Sequence, residues 1–244
     1  MIRQAQAVLL LLVGGTLLKI SLLGTYVRYV KPGLLPLLLA AGVALVAVAV
    51  ATLWSHWSVG SRVARRPVRR ADGHDHDHGG VGTGWLLLAP TLALLVFAPP
   101  PLGSFQADRN GTALSSQAGS DFPPLPDGDP VRLSLLDYAS RAVFDEGRSL
   151  AGRRVLVSGF VIARPEGQPY LARLMVSCCA ADARPIKIGL EGQVPSGLAA
   201  DQWLEVEGQF SDRADRDEVN GDMIPYLRVA TGRVIAAPEQ QYES

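Results

Sequence analysis

Three long stretches that are nearly free of charge constrain this 244-residue chain more than any other feature. A helix that crosses a membrane needs roughly 20 predominantly apolar residues, and each stretch is of this order. Lys19 interrupts the first stretch, the second carries no charge, and Pro90 is expected to kink the third. We therefore predict an integral membrane protein of the cell membrane whose residues 1–103 form a transmembrane region, with spans over residues 5–26, 32–54 and 84–103.

A cleaved signal peptide is the alternative for the first span. Lys19 and the lack of a small-residue cleavage site followed by soluble sequence argue against it. The loop over residues 55–83 holds five arginines, whereas the loop between the first two spans offers only Arg28 and Lys31. The positive-inside rule then places the arginine-rich loop in the cytoplasm and the C-terminal domain outside. If the third stretch did not cross, that domain would be cytoplasmic.

Small side chains repeat at helical spacing in the second span, at Ala40, Ala44, Ala47 and Ala51. Such a stripe lets another helix approach closely. The sequence does not decide which helix packs on this stripe. It could be one of the protein's own helices or a helix of a second membrane protein.

The composition changes after the third span. Residues 104–130 are rich in Gly, Ser, Pro and Asp without an apolar period, which predicts a flexible linker. Residues 131–237 have the mixed composition of a folded domain, and residues 238–244 are expected to form a tail. Ser134 is a good N-cap for a short amphipathic helix that should end near residues 145–147.

Five β-rich runs bounded by Gly, Pro and Asp follow this helix, beginning at Arg153, Tyr170, Pro185, Trp203 and Tyr226. Five strands after one helix in about 110 residues fit a small OB-like barrel, and a β-sandwich is the alternative. The predicted fold class is a membrane-anchored α plus β protein, with transmembrane helices followed by an all-β domain with one preceding helix.

The predicted cytoplasmic loop contains alternating imidazole and carboxylate side chains, which are suitable ligands for Zn²⁺ and similar divalent ions. A flexible loop can fold such side chains around one exchangeable ion, and a solvated spacer is the alternative. The candidate ligands are His74, Asp75, His76, Asp77 and His78.

Charge excludes some other functions. The chain is formally neutral, and its C-terminal domain has slightly more acidic than basic residues, so nucleic acid is not an expected partner. The acidic stretch over residues 212–222 lacks the ligand spacing of an EF-hand loop and is predicted to be a solvated hairpin.

Cys178 and Cys179 are the only cysteines, and they adjoin the end of a predicted strand. Strand alternation would point Cys178 into the core with Leu174 and Val176, and Cys179 outward. Because the chain then turns through residues 180–183, both sulfurs could instead face one side and chelate a soft ion. In that case Asp182 would add a ligand or fix the turn. Redox catalysis is less favoured, because the sequence lacks a Cys-x-x-Cys motif.

Cys178, Cys179, Asp182 and Ala183 form a Cys-Cys-x-x-Asp-Ala string that resembles the C-terminal domain of the YcgQ-like family. That family combines membrane helices, a His-rich loop and a β-rich domain. The resemblance implies a protein that is paired with a multispan permease and is associated with metal homeostasis. It implies no catalytic residues.

These observations predict a non-enzymatic accessory subunit of a membrane permease, in contact with membrane lipid. A divalent-metal protein that acts through its His-rich loop is the second hypothesis, with Zn²⁺ or another divalent ion as its cofactor. A thiol-based redox or soft-ion module at Cys178 and Cys179 is the third.

Overall fold

The computed structural model describes residues 2–60, 92, 100–114, 122–164 and 167–243. The chain divides into two compact units. The first comprises residues Met1–Tyr26 and Pro32–Pro100, and the second comprises Val27–Lys31 together with Pro101–Ser244.

Two helices dominate the described part of the first unit, α1 (Ile2–Leu22) and α2 (Leu35–Gly60). They pack through glycines that bring the backbones close. A Cβ atom on Gly14 would lie 3.0 Å from the carbonyl oxygen of Gly42, and one on Gly42 would lie 2.9 Å from the side chain of Leu18. This close approach is typical of helix pairs in membranes.

The structure supports the predicted membrane spans in part. Among the described residues, one helix, Pro32–Ser55, is long and apolar enough to cross a membrane, with a mean hydropathy of 2.7. The apolar part of α1, Gln6–Leu22, is shorter than such a helix requires. The described residues therefore contain one candidate span and not three. Most of the third predicted span lies outside the described residues, and its last residues, 101–103, belong to the second unit.

The second unit is built on five long strands that form a closed barrel. Strand β2 pairs antiparallel with both β3 and β5, so that Phe160 lies opposite Ala172 on one side and opposite Trp203 on the other. The remaining pairs are β3 with β4 and β5 with β6, both antiparallel, and β4 with β6, which is parallel. The strands are β2 (Val155–Ile162), β3 (Tyr170–Met175), β4 (Arg184–Gly192), β5 (Trp203–Arg216) and β6 (Met223–Ile235).

This Greek-key closure confirms the predicted five-stranded barrel with its preceding helix, and the sandwich alternative does not apply. Two short strands extend the sheet. Strand β1 (Val131–Arg132) pairs parallel to β2, and β7 (Tyr242–Glu243) pairs parallel to β3.

The helix that precedes the barrel is α4 (Leu135–Phe144), and Ser134 caps it as predicted by accepting a hydrogen bond of 3.0 Å from the Asp137 N–H. The carboxylate of Glu243 accepts the first two helical N–H groups at 2.8 and 2.9 Å. The helix packs on β2, β4 and β6 and buries Tyr138, whose hydroxyl donates to the Tyr226 carbonyl at 2.6 Å. The C-terminal strand thus holds the helix start in place.

The prediction of a flexible linker over residues 104–130 is wrong for the described residues. Helix α3 (Ser104–Arg109) packs on β2 and β3, and Leu114 is almost fully buried. The backbone of the segment also forms hydrogen bonds with the barrel, since the Ala113 N–H donates to the Pro185 carbonyl at 2.9 Å. Such long-range partners cannot be recognised from local composition.

Residues 122–130 are also held against the second unit. Buried Arg141 donates to the Pro123 carbonyl at 3.0 Å, and Arg154 pairs with Asp129 at 2.9 Å. The predicted tail over residues 238–244 is likewise partly structured, because β7 lies within it and Tyr242 is buried.

The acidic stretch over residues 212–222 forms a strand end and a turn, as predicted, but Asp217 is not solvated. It is buried with Lys187, and their charged groups lie 2.9 Å apart. The Asp217 carboxylate also accepts the Thr112 and Val219 N–H groups, each at 2.9 Å. Burial raises the pKa of Asp217, but the hydrogen bonds from Lys187 and these two N–H groups outweigh it, and the net pKa is lowered.

Candidate metal centre

The loop that carries both cysteines begins where β3 leaves the sheet. Leu174 and Val176 are buried in a side cluster of the barrel, and the Val176 N–H donates to the Glu243 carbonyl at 3.1 Å. Regular pairing of β3 with β4 ends at Met175, and Cys178 is exposed whereas Cys179 is partly exposed. The expectation that strand alternation points Cys178 into the core is therefore wrong, because the strand ends before that residue.

Asp182 organises this loop. One carboxylate oxygen accepts the Ser177 N–H at 2.9 Å, and the other accepts the Cys178 N–H at 2.8 Å. A single turn of 3₁₀ helix, Ala180–Asp182, follows the cysteines and brings the carboxylate back over them. This is the turn-fixing role that the sequence allowed for Asp182.

The loop also brings three ligand atoms together. The two sulfurs lie 3.6 Å apart, and each lies within 4.8 Å of a carboxylate oxygen of Asp182. Two sulfurs that bind a tetrahedral ion with bonds of about 2.3 Å are separated by about 3.8 Å, whereas linear coordination would separate them by about 4.6 Å. The sulfur separation of 3.6 Å is also an ordinary contact distance between two thiols, and it lies closer to the tetrahedral value than to the linear one.

Electrostatics keep the thiol protonated and the carboxylate charged when no ion is bound. Hydrogen bonds with Asp182 and Cys179, together with desolvation, raise the pKa of Cys178 to about 11. The pKa of Asp182 is lowered by hydrogen bonds from the Cys178 thiol and from the N–H groups of Cys178 and Ser177. A thiol with a raised pKa is a weak nucleophile at neutral pH, which disfavours the redox hypothesis.

Two thiolates and one carboxylate are suitable ligands for a soft or borderline divalent ion. Structural zinc sites have four protein ligands, whereas sites that exchange or react keep a position open. Three ligands on an exposed loop therefore correspond to an open site. Binding must displace the Cys178 proton, because the thiolate is the ligand.

A second segment of the chain borders this loop. Val30 forms an isolated antiparallel bridge with Cys179. The Lys31 N–H donates to the Cys178 carbonyl at 3.0 Å, and the Ala180 N–H donates to the Tyr29 carbonyl at 2.7 Å. The sequence does not predict this contact, because it joins backbone groups that are far apart in the chain and no motif indicates such a pairing.

The other predicted metal ligands lie outside the described residues. They are His74, Asp75, His76, Asp77 and His78. The described site thus contains only the cysteine and Asp182 part of the predicted set.

The fold and the site define a class of protein, in which a five-stranded barrel carries vicinal cysteines on an exposed loop and follows an apolar helix long enough to cross a membrane. Residues 141–243 match the family model named DUF1980 C-terminal domain. This match covers α4 in part and the whole barrel, including the cysteine loop, and it agrees loosely with the resemblance to the YcgQ-like family. No curated protein and no solved structure matches the chain.

Proposed function

We propose that this protein is a membrane-anchored, non-enzymatic accessory subunit of a permease whose C-terminal barrel binds one divalent metal ion. Cys178, Cys179 and Asp182 supply the ligands, and Zn²⁺ is the ion that their geometry fits best. The observation that carries the proposal is the 3.6 Å separation of two sulfurs beside a carboxylate that is already fixed in place.

The openness of the site supports a role in delivery. Cys178 is exposed and Cys179 is partly exposed, so a ligand from another protein can reach the bound ion. Three protein ligands leave room for such an incoming ligand. An ion held in this way exchanges more readily than one enclosed by four protein ligands, which suits a subunit that presents metal to a transporter.

The helices support a membrane partner. Helices α1 and α2 pack through Gly14 and Gly42, whereas the small-residue stripe of α2 is exposed. The stripe therefore does not serve the contact between α1 and α2, and it suits close packing against a helix of a multispan permease. Its residues are Ala40, Ala44, Ala47 and Ala51.

The metal site is tested by titrating the full chain in detergent with Co²⁺ and displacing it with Zn²⁺. The triple variant His74→Ala, His76→Ala, His78→Ala serves as the background, so that the His-rich loop cannot contribute. We expect one equivalent of Co²⁺ with a thiolate-to-metal charge-transfer band, and loss of that band in Cys179→Ser. Ser177→Ala is the matched control, because only the backbone of Ser177 takes part in the loop.

An unchanged spectrum in Cys179→Ser, or binding only when the three histidines are present, would refute the cysteine site. The second outcome would instead support the hypothesis that the protein acts through its His-rich loop.

The permease partner is tested by co-purification in mild detergent from cells that express the neighbouring genes. We expect a multispan protein to be recovered with the chain and to be lost in Ala44→Leu. Val43→Leu is the control, since Val43 is an exposed neighbour outside the stripe. Recovery of a lone, monodisperse protein would contradict the proposed partnership.

A further inference from the structure

We propose that residues 29–31, which lie between α1 and α2 in the sequence, are a positioning segment of the metal site and that metal binding strengthens their pairing with the cysteine loop. This inference rests on the proposed metal function and adds a regulatory connection to it. The segment supplies no ligand atom and acts through the backbone of the two cysteines.

Residues 29–31 form hydrogen bonds with the backbone on both sides of Cys179. This residue is extended, with φ −154° and ψ 171°, and the two backbone groups that flank it both face residues 29–31. The Lys31 N–H bonds the carbonyl before Cys179, and the Tyr29 carbonyl accepts the N–H after it. One backbone position is thus clamped on both sides.

Asp182 holds the same loop through different groups. Its carboxylate accepts the N–H groups of Ser177 and Cys178, so residues 29–31 and Asp182 together fix successive peptide units of the loop. Adjacent side chains of an extended chain normally point to opposite sides. Bringing both sulfurs within 3.6 Å therefore requires a defined departure from a regular strand, which these bonds hold in place.

Chelation by two adjacent residues depends on this geometry. An ion that binds both sulfurs restricts the backbone between them, and a backbone that is already restricted loses less entropy on binding. Thermodynamic linkage is reciprocal. If the pairing raises the affinity for the ion, the bound ion must stabilise the pairing by the same free energy. Metal binding therefore stabilises the position of the segment that joins α1 to α2.

Two proline substitutions test this coupling because each removes one N–H group, and the controls account for the change of side chain. Ala180 is the first residue of a 3₁₀ turn and follows an extended residue, which is a backbone position that proline accepts. Lys31 already precedes Pro32, which favours the extended conformations that proline also adopts. The controls Ala180→Ser and Lys31→Ala keep both N–H groups.

In the full chain we expect the Zn²⁺ affinity to fall about tenfold or more in Ala180→Pro and in Lys31→Pro, as for the loss of groups that orient ligands. It should stay unchanged in the two controls. A second measurement uses the unaltered backbone. Amide exchange of Lys31 and Ala180 should slow on addition of Zn²⁺ in the wild type and should not respond in Cys179→Ser.

The outcomes separate the two proposals. If wild type binds Zn²⁺ through its cysteines but neither amide responds and both proline variants bind normally, the inference about residues 29–31 is overturned and the metal site stands. If wild type does not bind Zn²⁺ through its cysteines, both proposals fall.

Discussion

At the scale of single residues, Asp182 has two opposing effects on Cys178. Its carboxylate fixes the loop and lies among the candidate ligand atoms, yet its hydrogen bond with the Cys178 thiol raises the pKa of that thiol. A bound ion would have to displace the thiol proton that this arrangement stabilises. The carboxylate that would help to bind an ion therefore also keeps the Cys178 thiol protonated and unreactive in the free protein.

Replacing Asp182 should separate these effects. In a Cys179→Ser background, adding Asp182→Asn removes the charge, so the pKa of Cys178 should fall towards its ordinary value and alkylation at neutral pH should accelerate. In the chain with both cysteines, the same substitution should weaken Zn²⁺ binding about 10- to 100-fold. The pH dependence of iodoacetamide labelling measures the first effect. Slower alkylation after the substitution would show that Asp182 does not raise the pKa.

The affinity for Zn²⁺ should rise with pH across the neutral range. Because the pKa of Cys178 is raised to about 11, the thiol is protonated there and binding must release that proton. Each released proton raises the apparent affinity about tenfold per pH unit below the pKa of the thiol. Competition titrations with a chelator between pH 6 and pH 8 measure this slope. A flat profile would mean that no thiol is a ligand.

The buried pair of Lys187 and Asp217 should dominate the stability of the loop between β5 and β6. Lys187→Met leaves a buried carboxylate without its charged partner, and breaking such pairs costs about 3–5 kcal/mol. Arg154→Met, which breaks the exposed pair with Asp129, should have little effect. Thermal unfolding of the two variants side by side measures the difference, and equal midpoints would contradict it.

At the scale of elements, sequence patterns predict what depends on local periodicity. The β-rich runs correspond to the five barrel strands, and Ser134 caps the helix as expected. The sequence could not predict that residues 104–114 and 122–130 are held against the barrel domain, because their partners, such as Pro185 and Arg141, lie elsewhere in the chain. For the candidate site, the sequence identified Cys178, Cys179 and Asp182 as a group. It could not determine that β3 ends before the cysteines or that residues 29–31 pair with them.

The contact between α1 and α2 should depend on Gly14 and not on its neighbour Gly15. A Cβ atom on Gly14 would meet the backbone and side chains of α2 at 3.0 Å, whereas one on Gly15 would meet nothing within 4 Å. Gly14→Leu should therefore push the helices apart, and Gly15→Leu should not. The two substitutions have the same helix propensity, so the thermal stability of each variant in detergent isolates the contact. Equal effects would contradict the close packing.

At the scale of the whole molecule, residues Val27–Lys31, which lie between the first two helices, belong to the same compact unit as Pro101–Ser244. In a membrane protein these two parts must then lie on one side of the membrane. From the distribution of arginines we predict that this side is the outer one.

Cysteine labelling tests this arrangement. In a background with both native cysteines replaced by serine, single cysteines at Gly33 and Gln240, which are both exposed, should react with a membrane-impermeant maleimide in intact cells. A cysteine at Ala71, in the arginine-rich loop, should react only after lysis. Labelling of Gly33→Cys and Gln240→Cys from opposite sides would contradict the shared location of the two segments.

X-ray absorption at the zinc edge identifies directly the atoms that would bind Zn²⁺ in the proposed site. The sample is the full chain with His74, His76 and His78 changed to alanine, loaded with one equivalent of Zn²⁺. We expect two sulfur ligands at about 2.3 Å and oxygen ligands at about 2.0–2.2 Å. A shell that contains only nitrogen and oxygen would show that Cys178 and Cys179 do not bind the ion, and would refute the proposed metal site.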